Sequence, residues 1–574
     1  MSETRPIVRG VKACVSSSHY LATEAGFEIL LAGGNAFDAA VAVGLTLHVV
    51  EPHMNSVAGE APALVYSAKE KKVFAVSGQG VAPKRATLEF FTKRGISKIP
   101  GDGLLPAAVP ASFDVWITLL KRFGTMRLRQ VTAPAIRLAE RGFPLYPFLQ
   151  KSLQTHAQMF LKRWPTTAKV FLPNGKIPQT GQIIIQKDLA NTLRKLASAE
   201  KRAGNERKGA LRAAQDCFYS GPIAKRIVEF ISKNPTVDAT GEAHTGLISL
   251  EDLADHQTRL EEPVEVEYGG LTVHKCGPWT QGPVFLQQLR LLEAHDLEGM
   301  SHNSSDYIHL VTEASKLAFA DRERFYGDPL FTEVPLTKLL SSSYAKERSK
   351  LIDMQRASLE LTPGIFPPDE YKQTHEPASH GDTTHLDVVD IDGNIVSVTP
   401  SGGWITSSPI IEGLGFSLGA RCEMFSLMDG HPNCIAAGKR PRTTLSPTLV
   451  TKTGKPLLSF GTPGGDQQDQ WTLQFFLNYV EFDMNLQAAI DAPTFHSTHF
   501  PSSFYPRDAH PGELHLEGRI PESVRNDLAK RGHRIVTDDD WVNGRVTAVH
   551  YDWERKALSA AASPRYQTPY ALGL

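Results

Sequence analysis

The sequence lacks the features that mark secreted, membrane-spanning or nucleic-acid-binding proteins. Its five cysteines lie far apart and form no CxxC pair, so we expect reduced thiols in a cytosolic protein rather than a disulfide framework. Lysine plus arginine (61) nearly equal aspartate plus glutamate (62), and no basic run alternates with aromatic residues. We therefore expect neither nucleic acid nor a membrane surface as a partner.

Long hydrophobic runs are also missing. The longest, residues 39–50, is interrupted by Gly44 and His48 and is too short to span a bilayer. Residues 1–6 are polar and lack the apolar core of a secretory signal. Together with the cysteine pattern, these absences predict a cytoplasmic protein.

What is present is the composition of an ordinary globular enzyme, with 574 residues, 41% of them hydrophobic and 21% charged. Helical patterns cover residues 20–32 and 305–325, and Asn35 is placed to cap a further helix. Residues 63–67 and 73–77 predict a hairpin, and residues 264–273 alternate like one strand. The last 192 residues (574 minus 382) are dominated by hairpins. Strand sets with helices outside them predict stacked sheets between helical layers.

One threonine stands at the junction between a proline-rich connection and a predicted hairpin. Residues 361–380 contain four prolines, which exclude a regular element. Asp392-Gly393 predicts the hairpin turn, and Thr383 is predicted to open the first strand. If the chain were cut before Thr383, its new amine, with a pKa of about 7.7–8.0, would serve as base for its own hydroxyl.

This motif and others also have purely structural interpretations. A Thr-Thr pair at the start of a strand is usually β-propensity alone. The turn Gly464-Gly465-Asp466 could hold a phosphate or an oxyanion, but no Walker-type Lys-Ser/Thr follows it. His385, and His431 with Cys434, match no known zinc spacing. We expect a structural role for them, and neither a metal nor another cofactor.

The residues 381–390, Gly-Asp-Thr-Thr-His-Leu-Asp-Val-Val-Asp, resemble the gamma-glutamyltranspeptidase family of N-terminal nucleophile hydrolases. The resemblance extends through further motifs at residues 32–36, 38–42, 51–53, 313–322, 438–441, 446–448 and 463–465. It implies an α+β fold, the four-layer αββα sandwich, in a precursor that cuts itself between Asp382 and Thr383. The products, residues 1–382 and 383–574, would stay together as one heterodimer.

The resemblance also implies roles for single residues. Thr383 stands at the position of the nucleophile, and Ser401 where the family has a second Thr that supports the nucleophile and its self-cleavage. Gly464 and Gly465 match glycines whose backbone N–H groups form the oxyanion hole. Such donors, fixed in advance, typically contribute about 10²–10³ in rate each.

The residues that would grip a glutamyl donor depart from the family pattern. Gln79 replaces an Arg that binds the donor's α-carboxylate, and Gln offers no charged fork. Gly403 replaces an Asn, Met424 an acidic residue, and Thr443 and Thr444 two serines. We hypothesise that Arg421 or Arg442 holds a carboxylate placed elsewhere.

Three interpretations of function follow. The first is an acylase or amidohydrolase that transfers a small non-glutamyl acyl group through Thr383 to water. The second is a glutathione-type gamma-glutamyl hydrolase or transferase that uses other residues for the donor carboxylate. The third is an uncleaved binding protein of the same fold. Turnover of a gamma-glutamyl anilide separates the first two, and self-cleavage separates both from the third.

Overall fold

The molecule is built from 21 strands and 19 helices within the residues that the structure describes. A computed structural model describes residues 3–364 and 382–574. The strands are β1 (Val8–Gly10), β2 (Ala13–Ser17), β3 (Ala63–Ser67), β4 (Lys72–Val76), β5 (Phe143–Pro144), β6 (Ile183–Ile184), β7 (Thr236–Val237), β8 (Ala243–His244), β9 (Leu260–Glu261), β10 (Val264–Tyr268), β11 (Leu271–Lys275), β12 (Leu386–Asp390), β13 (Ile395–Val398), β14 (Thr448–Lys452), β15 (Lys455–Gly461), β16 (Phe495–Ser497), β17 (Glu513–Glu517), β18 (Arg534–Asp538), β19 (Thr547–Asp552), β20 (Ala557–Ala562) and β21 (Tyr570–Gly573).

The helices lie mainly outside the sheets. They are α1 (Tyr20–Leu31), α2 (Ala36–Val50), α3 (Leu88–Thr92), α4 (Ser112–Arg122), α5 (Leu128–Val131), α6 (Ala133–Arg141), α7 (Pro147–Arg163), α8 (Pro165–Phe171), α9 (Lys187–Arg202), α10 (Arg207–Tyr219), α11 (Pro222–Lys233), α12 (Leu250–Ala254), α13 (Gly282–Leu292), α14 (Ser305–Phe325), α15 (Leu336–Leu339), α16 (Ser342–Ser349), α17 (Gln468–Val480), α18 (Leu486–Asp491) and α19 (Glu522–Lys530). Within the described residues, none of them is long and apolar enough to cross a membrane.

Two seven-stranded sheets form the centre. One has the order β1-β20-β19-β15-β14-β11-β10 and the other β21-β2-β12-β13-β3-β4-β9. Three apolar cores separate the layers: one between the sheets, one beneath α13, α14 and α17, and one beneath α1, α2 and α4. This arrangement confirms the predicted αββα sandwich.

Both sheets combine strands from the two sides of residue 382. In the second sheet, β12 and β13 lie between β2 and β3, which come from the N-terminal side. In the first, β14 pairs with β11 and β20 with β1. A cut before Thr383 would therefore leave two chains that share both sheets and these three apolar cores.

Local signals explain the helices that carry the site. Asn35 caps α2 by accepting hydrogen bonds from the backbone of Phe37 and Asp38, and Asp38 completes the capping box. Every residue of α2 is buried, in keeping with its small, apolar composition. Helix α14 spans the predicted residues 305–325 and begins after the N-cap Ser304.

Two strand predictions were wrong. Residues 264–273 are not one strand, because Gly269 and Gly270, both with positive φ, form a tight turn between β10 and β11. Thr383 does not open a strand. It makes an isolated bridge with Ser401, and β12 begins at Leu386. Pro400, opposite Thr384, has no N–H to continue the ladder. Of the predicted proline-rich connection, residues 365–380 lie outside the described residues.

Candidate active site

The Thr383 side chain lies in a buried hydrogen-bond chain with Ser401. Thr383 Oγ1 is 3.2 Å from Ser401 Oγ, and Ser401 Oγ donates to the carbonyl oxygen of Asp382 at 2.8 Å. Thr383 is 1% exposed and Ser401 is fully buried. One hydroxyl thus contacts both the threonine and the carbonyl of the peptide bond that precedes it.

The backbone of Ser401 is held by strand-like pairing with Glu60. The Glu60 N–H donates to Ser401 O at 2.8 Å, and the Ser401 N–H donates to Glu60 O at 2.9 Å. Gly59 allows this approach, since a Cβ there would lie 2.1 Å from Ser401 O. The loop after β13 therefore carries Ser401 to a fixed position beside Thr383.

Arg421 lies behind Ser401. Its Nη2 donates to Ser401 Oγ at 2.8 Å and is 3.4 Å from Glu60 Oε2. The guanidinium lies over the rings of Trp404 and Phe504, at 5.1 and 5.9 Å from their centroids. Burial raises the pKa of Glu60, and Arg421 opposes that rise. Arg421 therefore contacts the supporting hydroxyl directly.

A second buried arginine, Arg545, lies on the other side of the junction. Its Nη2 is 3.3 Å from Asp382 Oδ1 and 3.2 Å from Thr383 O, and its Nη1 is 3.7 Å from Glu51 Oε1. Glu51 Oε2 accepts a hydrogen bond from Thr384 Oγ1 at 2.5 Å. Burial raises the pKa of Glu51 to about 7, against the lowering effects of Arg545 and Thr384.

Arg545 escaped the sequence analysis, which had considered only Arg421 and Arg442. The one available signal was its position just before a strand of the C-terminal part, β19. An arginine there is unusual because the strand that follows, β19, is largely buried. Its contact with Asp382 spans 163 residues, so no local pattern indicates it.

The glycine turn that follows β15 permits no side chain at either position. Gly464 and Gly465 have φ of 126° and 56°. A Cβ at Gly464 would lie 2.2 Å from Trp471, and one at Gly465 would lie 2.8 Å from Phe504. Within the described part of the chain, neither N–H donates to a backbone or side-chain acceptor. Both donors therefore remain available to a bound group.

A buried polar network fixes that turn. Asp466 accepts a very short hydrogen bond from Arg322 Nη1 and further bonds from Ser503 N and Oγ at 2.8 and 2.7 Å. Gln281 Oε1 accepts from Arg322 at 2.9 Å, while its Nε2 lies 3.4 Å from Gly465 O. The C-terminal end of α14 thereby anchors the turn to the body of the molecule.

A cavity of about 300 Å³ opens beside this turn. Asp382, Gly464 and Arg545 contribute to its wall, as do the rings of Phe148 and Tyr566. Of the residues predicted to act in catalysis, cleavage or substrate binding, Asp382 and Gly464 are in this wall. The cavity thus adjoins both the glycine turn and the peptide bond before Thr383.

Two of the predicted substrate residues, Gln79 and Gly403, are enclosed by contacts of their own. Gln79 is 1% exposed, and its Nε2 donates to Gly80 O at 3.3 Å. Gly403 has a φ of 65°, and a Cβ there would lie 2.6 Å from Ser56 Oγ. The larger Asn of the family pattern would therefore not fit at Gly403 without movement of Ser56.

The remaining candidates are likewise buried. Thr443 pairs through its backbone with Trp279, and the Thr444 hydroxyl has no hydrogen-bond partner within the described residues. Arg442 Nη2 forms an ion pair with Glu323 at 2.7 Å. Arg442 thus already has a carboxylate partner within the protein, which it shares with Arg322.

His385 and one cluster of possible metal ligands lie in contact with neighbouring side chains. His385 Nδ1 lies 2.9 Å from Thr399 Oγ1. In the part of the chain that the structure describes, the one cluster of three potential metal ligands is His309, Glu313 and His533. The two imidazoles hydrogen-bond to each other at 2.8 Å, and Glu313 pairs with Lys316 at 2.6 Å. Glu313 thus already has a cationic partner, while His533 Nδ1 has no hydrogen-bond partner within the described residues.

Comparisons with known proteins cover the whole chain. Residues 22–572 match the model of the family described as gamma-glutamyltranspeptidase. The glutathione hydrolase-like YwrD proenzyme of Bacillus subtilis (strain 168) is 32% identical over 562 residues, covering 97% of this chain and 98% of the relative. The acylase ACY 1 proenzyme of Pseudomonas sp. (strain SE83) is 32% identical over 574 residues, covering 98% of this chain and 94% of the relative.

A solved structure supports the same relationship. The crystal structure of cephalosporin acylase from Bacillus halodurans superposes with a TM-score of 0.85 at 30% identity, covering 100% of this chain and 98% of that one. The likeness therefore extends over both sheets and both sides of the junction at Thr383.

Proposed function

We propose that Thr383 is the nucleophile of this chain, which belongs to the gamma-glutamyltranspeptidase family, and that the chain matures by cleaving itself between Asp382 and Thr383. The relatives compared above are amide hydrolases and acylases made as proenzymes. The observation that carries this proposal is the Ser401 hydroxyl, which bridges Thr383 Oγ1 and the Asp382 carbonyl. Those are the two groups that must react with each other.

Self-cleavage proceeds by an acyl shift. Thr383 Oγ1 attacks the carbonyl carbon of Asp382, its proton passes to the departing amide nitrogen, and the C–N bond breaks. The product is an ester between Asp382 and the Thr383 hydroxyl, with a free α-amine on Thr383. Water hydrolyses that ester and releases the Asp382 carboxylate. Two fragments, residues 1–382 and 383–574, result and remain associated through their shared sheets.

Ser401 and Arg421 assist this step in different ways. Ser401 donates to the carbonyl oxygen that becomes negatively charged during attack, so it stabilises the transition state. Arg421 donates to Ser401 at 2.8 Å and orients the serine's own proton toward Asp382. Arg421 is a positioning residue in this proposal, and it is not a ligand of the substrate.

After cleavage, the same threonine acts on other amides. Its free α-amine takes the hydroxyl proton as the oxygen attacks the substrate carbonyl. The N–H groups of Gly464 and Gly465, which have no acceptor within the described residues, would hold the oxyanion. The acyl group is then transferred from Thr383 to water or to an amine.

The acyl group that we propose is not gamma-glutamyl. Gln79 carries no charge, is bonded to Gly80 and stands where the family pattern has the arginine for the donor carboxylate. The relatives' names include both acylase and glutathione hydrolase-like enzymes, so family membership alone leaves both classes open. The missing arginine favours the acylase or small-amide class.

A panel of anilides tests this choice. The purified enzyme is expected to release 4-nitroaniline from simple acyl 4-nitroanilides and to act poorly on gamma-glutamyl 4-nitroanilide. Efficient turnover of the gamma-glutamyl compound would contradict the proposed acyl class while leaving the role of Thr383 intact. Denaturing electrophoresis of the same sample gives the second readout, since a persistent single band at 63.0 kDa would contradict self-cleavage.

A further inference from the structure

We propose that Glu51 is the base for the second step of self-cleavage, in which water hydrolyses the ester between Asp382 and Thr383. The water is held by Glu51, His53 and Arg545. This inference rests on the proposed function and deepens it, because it assigns a residue to the step that follows the acyl shift.

The Glu51 carboxylate is fully buried and uses only one of its two oxygens in hydrogen bonds. Oε2 accepts from Thr384 Oγ1 at 2.5 Å. Oε1 lies 3.7 Å from Arg545 Nη1, and neither of these two atoms has a hydrogen-bond partner within the described residues. Because a buried polar atom without a partner is costly, such atoms commonly bind an ordered water.

His53 supplies two further atoms of this kind. Its ring lies 5.0 Å from that of Phe148, over which the Arg545 guanidinium is also placed at 5.0 Å. His53 is 5% exposed, and neither ring nitrogen has a partner in the described part of the chain. Burial and the charge of Arg545 hold the pKa of His53 well below its usual range, so the neutral ring offers one donor and one acceptor. Together with Glu51 Oε1 and Arg545 Nη1, it gives a water the two to four partners that a buried water needs.

Arg545 links this group to the bond that reacts. Its Nη1 faces Glu51, while its Nη2 lies 3.3 Å from Asp382 Oδ1 and 3.2 Å from Thr383 O. One guanidinium therefore separates Glu51 from the residues on both sides of the cut. Asp382 and Arg545 also contribute to the wall of the same cavity, through which water from the solvent reaches the ester.

The step balances without any other reagent. Glu51 takes a proton from the water as the water oxygen bonds to the Asp382 carbonyl carbon. The bond from that carbon to Thr383 Oγ1 breaks, and Oγ1 receives the proton from Glu51. Asp382 leaves as a carboxylic acid, which then ionises. Burial raises the pKa of Glu51 to about 7, which suits a base that works near neutral pH.

The test separates ester hydrolysis from ester formation with hydroxylamine, a nucleophile that needs no base to attack an ester. Glu51→Gln, in chains synthesised in vitro and sampled over time, is expected to release fragment 383–574 about 10²-fold more slowly than the wild type. Neutral hydroxylamine should restore most of that rate and leave a hydroxamate on Asp382, identified by the mass of fragment 1–382. His53→Ala should show the same pattern with a smaller loss.

Three controls define the outcome. Glu28→Gln, which alters an exposed glutamate, should cut at the wild-type rate. Hydroxylamine should not rescue Ser401→Ala, which forms the ester slowly, and should leave Thr383→Ala uncut. Wild-type cleavage by Glu51→Gln, as expected if the new amine of Thr383 were the base, would overturn the inference, and so would a slow Glu51→Gln that hydroxylamine does not rescue. Both results leave the proposed function standing, whereas a wild-type chain that stays uncut would overturn the proposed function itself.

Discussion

The two buried arginines beside Thr383 are held in different ways. Arg421 lies behind Ser401, enclosed by aromatic rings and paired with Glu60, and its contacts lead to the threonine hydroxyl. Arg545 faces a cavity, and its closest carboxylate belongs to Asp382, the residue that would be cut from Thr383. Both carry the same charge in a similarly buried setting.

The difference between them is whether their partners survive maturation. Cleavage at the proposed bond would leave the contacts of Arg421 with Ser401 and Glu60 covalently untouched, since none of these residues adjoins the cut. It would instead remove the covalent constraint that holds Asp382 against Arg545.

The largest effect is expected for Thr383→Ala, which removes the atom proposed to react in both steps. We expect a single band at 63.0 kDa on denaturing electrophoresis and no detectable amide hydrolysis. Thr155→Ala, which alters an exposed threonine on α7, should cleave at the wild-type rate. Two fragments from Thr383→Ala would rule out Thr383 as the attacking group.

Ser401→Ala removes the hydroxyl that contacts both Thr383 Oγ1 and the Asp382 carbonyl. Loss of a preorganised donor to the developing oxyanion is expected to slow self-cleavage by about 10²–10³. Ser401→Thr keeps that donor and should cleave at a rate close to the wild type. The time course of the appearance of fragment 383–574 gives both rates, and a wild-type rate for Ser401→Ala would refute the proposed role.

Arg421→Met tests whether Arg421 positions Ser401 for self-cleavage or only stabilises the fold. It removes the donor to Ser401, so self-cleavage should slow by about 10- to 100-fold. It also leaves Glu60 buried without its cation, which typically costs about 3–5 kcal/mol in the free energy of unfolding. Adding Glu60→Gln should restore most of that stability, measured in the uncut Thr383→Ala background.

Although adding Glu60→Gln should restore the stability of the Arg421→Met variant, it should not restore the rate of self-cleavage. If Arg421→Met/Glu60→Gln, with Thr383 present, cut at the wild-type rate, Arg421 would have only a structural role. The comparison of the two arginines would then lose its first member.

The smallest effect is a pH dependence from Glu51, the carboxylate on the Arg545 side. Burial raises its pKa to about 7 from 4.5, so the folded protein holds this proton more tightly than the unfolded chain. Its stabilising contribution is full below pH 4.5 and is lost as the pH rises through about 7, by no more than about 3 kcal/mol.

Chemical unfolding between pH 4.5 and 8 measures this contribution. In the Thr383→Ala background, the form with Glu51 should lose stability relative to the Glu51→Gln form as the pH rises. A difference between the two forms that does not vary with pH would show that Glu51 keeps an ordinary pKa beside Arg545.

The sequence predicted the parts of the fold that depend on local signals. Helix α14 has an amphipathic stripe and an N-cap, and its bounds were predicted correctly. Strand β2 was missed because all five of its residues are buried, which removes the alternation that marks a half-exposed strand. The single strand predicted over residues 264–273 was wrong because consecutive glycines permit a tight turn.

The candidate site likewise combines residues that motifs indicated with residues that only tertiary packing brings together. The chain pattern itself singled out Thr383, whereas Ser401 and the glycine turn were assigned through the resemblance to the family. The contacts of Arg545 with Asp382 and of Arg421 with Glu60 join residues 163 and 361 positions apart. Only tertiary packing brings these charges together, so no pattern along the chain could assign an arginine to the hydroxyl or to the cavity.

Intact mass spectrometry of the purified protein, before and after brief incubation with an acyl 4-nitroanilide that it hydrolyses, tests the central claim most directly. The account predicts two fragments, the smaller beginning at Thr383, and a transient gain of one acyl group on the Thr383 residue of that fragment. A full-length chain, a cut at another bond, or an acyl group attached to a different residue would contradict it.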